Sequence, residues 1–365
     1  MRSLKSREYR AAMEIRRLDP REEDQAAAVY RALRAGASAD REAPVVEEFD
    51  ALLASLRGNE ANPNTDRRAY GAWQGDECLG ALLVSLPRRE NTHIAEVEVS
   101  VPPDARRRGV GTALFVHARD LAVSEGRRVL AAEVNAVSAG EAGLAESPGG
   151  RFALALGFAV KHTEFRLLLD LPLAEVHLCE LEGDAAARSL GYEAVGWVGL
   201  PPTELLDAFA ELHTLMAVDV PSGEVSREPL VYDAERLRGM QQRLLDQGYG
   251  LVTTLLLDPK GRPAGYTSMF VMGGESREVL QDETFVLRAH RGRGLGTRAK
   301  LANLRLLAEH FPHAAHVHTW TAEVNDSMRA VNDRLGFRPV ETMYELELEL
   351  ELESPLEPAV YPHRP

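Results

Sequence analysis

The chain has 365 residues, of which 45% are hydrophobic and 27% are charged, and its formal net charge is −14. This length predicts two domains, each large enough for a core of its own, and the negative charge disfavours nonspecific binding to nucleic acid. We expect a cytoplasmic protein without a membrane partner, because no run reaches the ~20 apolar residues of a membrane helix, the first residues lack the apolar core of a secretory signal, and two cysteines make no disulfide framework.

Apolar periodicity in the first half predicts alternating strands and helices. Residues 1–12 form an N-terminal extension that we expect to be flexible. The predicted strands are Glu14–Leu18, Ala69–Trp73, Cys78–Leu86, Ile94–Val101, Val129–Val134 and Thr163–Leu171. The predicted helices are Glu22–Ala35, Val45–Leu56, Gly109–Glu125 and Arg151–Leu156. Residues 140–150 have the composition of an inserted loop.

The second half repeats this order after a join near residues 171–175. Its predicted strands are Tyr192–Leu200, Gly250–Leu257, Pro263–Val271, Val279–Leu287, Ala315–Ala322 and Val340–Leu352. Its predicted helices are Glu204–Met216, Ala234–Gln247, Gly294–His310 and Ser327–Leu335. The alternation predicts an α/β fold, with a mixed sheet covered by helices in each half. We therefore predict domains over residues 13–172 and 173–354, followed by a C-terminal tail over residues 355–365.

One short motif occurs in both halves, as VPPDARRRGVGTAL at Val101–Leu114 and as VLRAHRGRGLGTRA at Val286–Ala299. Each copy follows a predicted strand and begins a predicted helix. Backbone N–H groups in the first turn of a helix have no partner within the helix, and together with the helix dipole they favour a bound phosphate. Glycines let the phosphate approach the backbone, and arginines add charge-assisted hydrogen bonds. The repeat therefore predicts two anion sites.

The similarity of the halves continues downstream of these loops. The tetrapeptide Ala-Glu-Val-Asn ends at Asn135 in the first half and at Asn325 in the second, and Leu-Gly-Phe follows in both, ending at Phe158 and Phe337. With this ordered set of motifs, the chain resembles the GNAT superfamily of acyl-CoA-dependent N-acyltransferases, twice in tandem. The resemblance implies two domains, each with a mixed, mostly antiparallel sheet flanked by helices.

The resemblance also implies where acetyl-CoA binds. In that family the loop amides hold the pyrophosphate of CoA, the preceding strand splays from its neighbour, and the pantetheine arm lies in the gap, with an Asn near it. Transferred to this sequence, the first set of cofactor contacts is Val101, Arg106, Arg107, Arg108, Gly109, Val110, Gly111, Thr112 and Asn135. The second set is Val286, Arg291, Gly292, Arg293, Gly294, Leu295, Gly296, Thr297 and Asn325.

One family feature is missing from both halves. Many family members carry a Tyr five residues before the Phe of Leu-Gly-Phe, as the acid that reprotonates the departing thiolate. The corresponding residues here are Ala153 and Asn332. Alanine donates no proton, and an Asn amide donates a hydrogen bond only. The thiolate therefore leaves unassisted or another group serves.

Candidate bases for the attacking amine lie on the strands that precede the loops. Glu98 and Glu283 each lie eight residues before their loop arginine, and Glu96 shares a strand face with Glu98. Glu133 in the first half and Glu323 in the second, both from the Ala-Glu-Val-Asn repeats, are further candidates for the base. The alternative for each is a solvated strand position or a partner for a nearby arginine.

Two other patterns have simpler explanations. His313, His316 and His318 would need further ligands to bind zinc, so we expect no metal. His213, on the predicted helix Glu204–Met216, could face an acceptor pocket, but we interpret it as a helix-surface residue. The tail YELELELELE, at Tyr344–Glu353, alternates Leu and Glu. We interpret it as a final strand with its Leu face on the core, although its Glu face could also border an acceptor cleft.

The function that follows is an acetyl-CoA-dependent N-acetyltransferase, in which a primary amine of a small molecule or amino-acid-like acceptor attacks the thioester directly. The alternatives are a CoA-binding regulatory or scaffold pseudoenzyme and a transferase of a longer acyl group. We expect the second half to be catalytic and the first to be a degenerate or regulatory CoA site, because the first carries the insertion and Ala153. The acceptor is not encoded by any readable motif, and the protein is expected to be a monomer or a homodimer.

Overall fold

The computed structural model describes residues 13–137, 140–219 and 224–351, and these form an α/β fold around one twelve-stranded sheet. The first six strands are β1 (Glu14–Arg17), β2 (Thr65–Gln74), β3 (Glu77–Pro87), β4 (Ile94–Ser100), β5 (Val129–Ala136) and β6 (Ala159–Asp170). The other six are β7 (Glu193–Val198), β8 (Gly250–Leu257), β9 (Pro263–Val271), β10 (Glu278–Val286), β11 (His316–Ala322) and β12 (Arg338–Glu349).

Ten α-helices cover this sheet within the described residues. The helices of the first half are α1 (Glu23–Ser38), α2 (Phe49–Arg57), α3 (Val110–Ser124), α4 (Gly140–Glu146) and α5 (Pro148–Ala155). The helices that follow are α6 (Glu175–Arg188), α7 (Leu206–Asp219), α8 (Ala234–Asp246), α9 (Leu295–His310) and α10 (Asp326–Leu335). None of the helices described is long and apolar enough to cross a membrane.

Each half places different helices on its two sheet faces. In the first half, alternate residues of β3 point to opposite sides, so that Leu82 packs beneath α3 while Leu83 packs beneath α1 and α2. In the second half, Leu255 lies in the cluster under α7 and α8, whereas Leu256 packs on α9. Successive side chains of a strand point to opposite faces of the sheet, and in these strands both sets are apolar and buried. These strands therefore form the centre of each half.

The last strand of each half is exchanged into the other. The order of strands is β1-β2-β3-β4-β5-β12-β6-β11-β10-β9-β8-β7, so β12 pairs with β5 of the first half and β6 pairs with β11 of the second. Leu346 of β12 is fully buried in the first-half core with Leu130. At the crossing, Arg166 of β6 is fully buried and forms an ion pair with Glu341 of β12. The two halves therefore share one continuous sheet.

The structure differs from the sequence-based expectations in two helical segments. Residues 140–150, predicted as an inserted loop, form α4 and the start of α5, because Ser147 caps α5 by accepting a hydrogen bond from the Gly150 amide. Helix α6 was not predicted, although Leu178, Leu181 and Ala185 give it a buried stripe at helical spacing. Leu346, Leu348 and Leu350 of the acidic tail face the core as expected. Residues 1–12 and 352–365, with the predicted N-terminal extension and C-terminal tail, lie outside the described residues.

Candidate active site

A gap opens between two parallel strands in each half. Strand β4 pairs with β5 only from Ile94 to Glu96, yet continues to Ser100. Strand β10 pairs with β11 only from Glu278 to Leu280, yet continues to Val286. In both halves the first strand continues as an antiparallel partner of the strand on its other side. Two V-shaped gaps therefore lie at equivalent positions in the sheet, as the resemblance implies.

Each gap leads into one of the two glycine-rich loops that were predicted to bind phosphate. The residues before the helices, Gly109 and Gly294, adopt left-handed φ angles of 87° and 72°, which a glycine takes without a Cβ penalty. The side chain of Arg106 donates from Nε to the carbonyl of Val101 at 3.1 Å, and Arg291 donates to Val286 at 2.9 Å. These bonds hold both loops in the same shape, so the first-turn amides of α3 and α9 point out of the helix ends beside the gaps.

The two loops differ in what surrounds them. In the second half, Asp219 at the end of α7 pairs with Arg291 and, at 2.7 Å, with Arg288. Burial raises the pKa of Asp219, but hydrogen bonds from these arginines outweigh it and hold that pKa below its usual value. In the first half, a Cβ added to Gly111 would lie 3.3 Å from the ring of Phe152. Thus a carboxylate pairs with the arginines beside the second loop, whereas an aromatic ring lies against Gly111 in the first.

Glu283 lies in the second gap on the face covered by α7 and α8. The pairing of β10 with β9 is interrupted by a bulge between Gln281 and Thr284, which turns the Glu283 side chain toward this face. The hydroxyl of Tyr266 donates to the Glu283 carboxylate, and Nδ1 of His213 lies 2.9 Å from the same oxygen. Burial and the negative charge of Glu283 raise the pKa of Tyr266 well above its usual value, so the phenol remains a donor.

The sequence missed Tyr266 as a site residue, and for His213 we favoured a helix-surface position over the pocket-facing alternative. His213 was placed on a helix surface, but it is 5% exposed and its ring stacks against Phe209 and Tyr266. This expectation was wrong, because α7 turns the His213 side of the helix onto the sheet. The available signal was the spacing of Phe209 and His213, which places an aromatic residue and a histidine on one helix face.

Glu98 takes the corresponding position in the first half but lacks these partners. The pairing of β3 with β4 runs without a bulge from Ala81 to Ser85, and Glu98 lies opposite Leu83. The hydroxyl of Ser100 donates to Glu98 at 3.4 Å. The protein groups packed around the Glu98 carboxyl remove part of its hydration and raise its pKa, while the side chain stays accessible to water. This combination describes a carboxylate on the wall of an open cleft.

Further carboxylates gather around Glu98. Glu133 of β5 lies opposite Glu345 of β12, and burial together with the charge of Glu345 raises the pKa of Glu133 to about 7. The guanidinium of Arg227, from the segment between α7 and α8, is 2.8 Å from Glu345 and 3.2 Å from Glu96. The exchanged strand and this second-half segment therefore complete the first-half cleft. The sequence offered the Glu face of the tail as a border of an acceptor cleft, but it did not indicate that the cleft belongs to the first half or that Arg227 lines it.

The Ala-Glu-Val-Asn repeats do not occupy equivalent places. Glu133 and Asn135 lie within β5, whereas Glu323 follows the end of β11 and Asn325 caps α10 by accepting from the Met328 amide at 3.2 Å. The expectation that the two tetrapeptides are equivalent was wrong, because the second strand ends earlier and its helix begins sooner. Glu323 as a base, and the two asparagines as cofactor contacts, stay predictions.

In the second half, the residue at the position of the missing Tyr is part of a buried hydrogen-bond network. Asn332 is fully buried, and its amide oxygen accepts from Lys300 at 2.8 Å while its amide nitrogen donates to the hydroxyl of Thr321 at 3.0 Å. Lys300 is 2% exposed, its ammonium lies over the ring of Phe337, and burial lowers the pKa of Lys300 to about 7. This network was also missed by the sequence.

Two groups of side chains resemble metal ligands. His316 and His318 both contact Glu278 rather than gathering around a common point. His162, Glu164 and Glu345 bring one ligand atom each within 4.8 Å of one another, and Arg227 already bonds to Glu345 at 2.8 Å. The arginine supplies the positive charge at this group, so we assign no metal to it.

The tandem arrangement of the two halves is also found in a known protein. The chain is similar over 92% of its length, and over 98% of that chain, to a tandem GNAT protein from the clavulanic acid biosynthesis pathway, with 28% identity and a TM-score of 0.73. A GCN5-related N-acetyltransferase from Sphaerobacter thermophilus shares the fold at 16% identity and a TM-score of 0.61, covering 93% of this chain and 96% of that one. No curated protein matches the chain.

The family assignment follows from both halves. The sequence profile described as the acetyltransferase (GNAT) family matches residues 27–146 and again residues 211–337. Each match contains one V-shaped gap and one phosphate loop, and together they span more than half of the chain. The protein therefore belongs to the GNAT family of N-acyltransferases, with two copies of the family's fold in tandem.

Proposed function

We propose that this protein transfers an acetyl group from acetyl-CoA to a primary amine of a small-molecule or amino-acid-like acceptor, and that the second half carries out the reaction. The observation that carries the proposal is the Glu283–His213–Tyr266 cluster beside the second gap. The loop Arg291–Thr297 would hold the CoA pyrophosphate at the N-terminus of α9. The acetyl end would then reach the gap, because the loop follows the splayed strand directly.

The chemistry requires one base and no covalent intermediate. The amine nitrogen attacks the thioester carbonyl, the C–N bond forms, the C–S bond breaks, and its electron pair stays on sulfur. The proton lost by the amine passes to the carboxylate of Glu283. Tyr266 and His213 hold that carboxylate in place, and the bulge in β10 directs it into the gap.

The first half is proposed as a CoA-binding regulatory site. Its β4 lacks the bulge, and the position of the missing acid is Ala153, which is buried against the core. This is the scaffold alternative, confined to one half. The transfer of a longer acyl group is the competing proposal for the second half, because the Glu283–His213–Tyr266 cluster would act on the amine whichever acyl group is transferred.

The test is a calorimetric titration with acetyl-CoA of the wild type and of two matched variants, Gly111→Glu and Gly296→Glu, each of which places a carboxylate in one loop. We expect two sites in the wild type and one in each variant. Thiol release with a library of primary amines should then fail in Gly296→Glu alone. Loss of turnover in Gly111→Glu alone would reverse the assignment of the halves, and absence of binding in the wild type would overturn the proposed donor.

A further inference from the structure

In the second half, Lys300, Asn332 and Thr321 form a buried hydrogen-bond network where the first half has apolar side chains. The last paired residues at the two gaps are Ala131 on β5 and His318 on β11. Three residues further along these strands lie Val134, which faces Gly149 of α5, and Thr321, which bonds to Asn332 of α10. The three network members Lys300, Asn332 and Thr321 thus correspond to Phe115, Ala153 and Val134, which all pack in the first-half core.

This hydrogen-bonded set of side chains lies across the gap from Glu283. Glu283 is three residues beyond the last paired residue of β10, and Thr321 is three residues beyond its partner on β11. Glu283 points to the face of α7 and α8, where it meets His213. Thr321 points to the opposite face, where it meets Asn332 of α10. The phosphate loop begins α9 on that second face, so the CoA side and the amine side of the gap are separated.

The direction of the hydrogen bonds is fixed by Lys300. A lysine ammonium only donates, so the amide oxygen of Asn332 must face it and the amide nitrogen must face Thr321. The oxygen of Thr321 then accepts, which leaves its own hydrogen available to a further acceptor. All three side chains are at most 3% exposed. Burial lowers the pKa of Lys300 to about 7 while the gap is empty, but a thiolate formed nearby favours the protonated amine, because an opposite charge stabilises the charged form.

We propose that Lys300, acting through Asn332 and Thr321, is a positioning residue that stabilises the departing CoA thiolate in the second half, in place of the missing tyrosine. This inference rests on the proposed function. No proton transfer is required, because the electron pair of the broken C–S bond stays on sulfur and the amine proton goes to Glu283. The hydrogen-bond network lowers the energy of the thiolate through the positive charge of Lys300 and through the oriented donors of Asn332 and Thr321.

The test measures the thiol pKa of bound CoA, from the ultraviolet absorbance of the thiolate against pH. The protein carries Gly111→Glu, so that only the second site binds, and the probe is CoA itself. In the reference protein the bound thiol should ionise at lower pH than free CoA. We expect Lys300→Met, Asn332→Leu and Thr321→Val each to reduce the thiolate fraction about tenfold at a fixed pH, the effect of losing one hydrogen bond to a charged group.

Two comparisons separate this role from a structural one. Thr321→Ser should restore the thiol pKa because it keeps the hydroxyl. Thr319→Val makes the same chemical change at another buried position of β11 and should leave the thiol pKa unchanged. Variants that bind CoA with an unchanged thiol pKa would overturn the inference and leave the proposed function standing. Failure of the reference protein to bind CoA would instead remove the proposed function, and the inference with it.

Discussion

Single side chains decide the chemistry that each half can perform. Glu283 is held by a phenol and an imidazole in the second half, whereas Glu98 has Ser100 at 3.4 Å in the first. The sequence placed both carboxylates correctly on strands before the loops, because strand periodicity and the distance to a motif are local properties. It missed Tyr266, which reaches Glu283 from another strand, and it favoured a surface position for His213, which reaches Glu283 from a helix.

The role of Glu283 as a base can be tested by Glu283→Gln, which keeps the hydrogen-bonding shape but removes the proton acceptor. We expect kcat for acetyl transfer to fall by about 10²–10⁴, the usual contribution of a general base, with little change in the affinity for acetyl-CoA. Glu309→Gln, at an exposed site on α9, is the control. An equal loss in Glu98→Gln, with normal turnover in Glu283→Gln, would assign the reaction to the first half.

The buried Lys300 should make stability depend on pH. Its pKa is about 7 in the folded chain and about 10.4 in an unfolded one. Between these values the unfolded state binds the extra proton, so this residue makes the free energy of unfolding increase as pH rises. Relative to Lys300→Met, the wild type should gain about 4 kcal/mol between pH 7 and pH 10. Parallel denaturation curves across that range would contradict the lowered pKa.

Secondary-structure elements position these side chains and the cofactor loops. Strand β10 ends its parallel pairing after three residues, bulges, and leads directly into the loop that begins α9. The glycine pattern revealed this strand–loop–helix order from sequence, because a left-handed residue before a helix has a strong local signature. The bulge has no such signature, since its extra residue is defined only against the partner strand.

The end of α7 should regulate access to the second anion site. Asp219 there pairs with Arg288 and Arg291, which the CoA pyrophosphate would need. Asp219→Asn removes that competing charge, so we expect acetyl-CoA to bind about two- to fivefold more tightly, as suits the loss of partly exposed ion pairs. Calorimetry on this variant and on Asp207→Asn, an exposed aspartate on the same helix, provides the comparison. Weaker binding in Asp219→Asn would show that Asp219 organises the loop instead.

At the scale of the whole molecule, the strand exchange makes the halves interdependent. Strand β12 lies between β5 and β6, and the Arg166–Glu341 ion pair is buried where the exchanged strands meet. The first-half cleft also takes Arg227 and Glu345 from the second half of the chain. Neither half is complete alone, so we expect one cooperative unfolding transition.

Leu346→Ala tests this dependence from a residue of the second half that packs in the first. Leu346 is fully buried, and its truncation should cost about 2–5 kcal/mol. Because the two halves share the sheet, calorimetry should show a single transition at lower temperature. Hydrogen exchange should speed up in β5 as well as in β12. Two separate transitions, with β5 unaffected, would contradict the shared sheet.

The sequence by itself determined the tandem organisation, the strand order, most of the helices, the glycine-rich loops before α3 and α9, and the strand positions of Glu98 and Glu283. Each of these depends on periodicity, on glycine or on a motif within a short stretch of chain. Tertiary structure alone decided the exchange of β6 and β12, the His213–Tyr266 support of Glu283, and the Lys300–Asn332–Thr321 network. These depend on which distant segments pack together, and burial then sets the pKa of a residue such as Lys300.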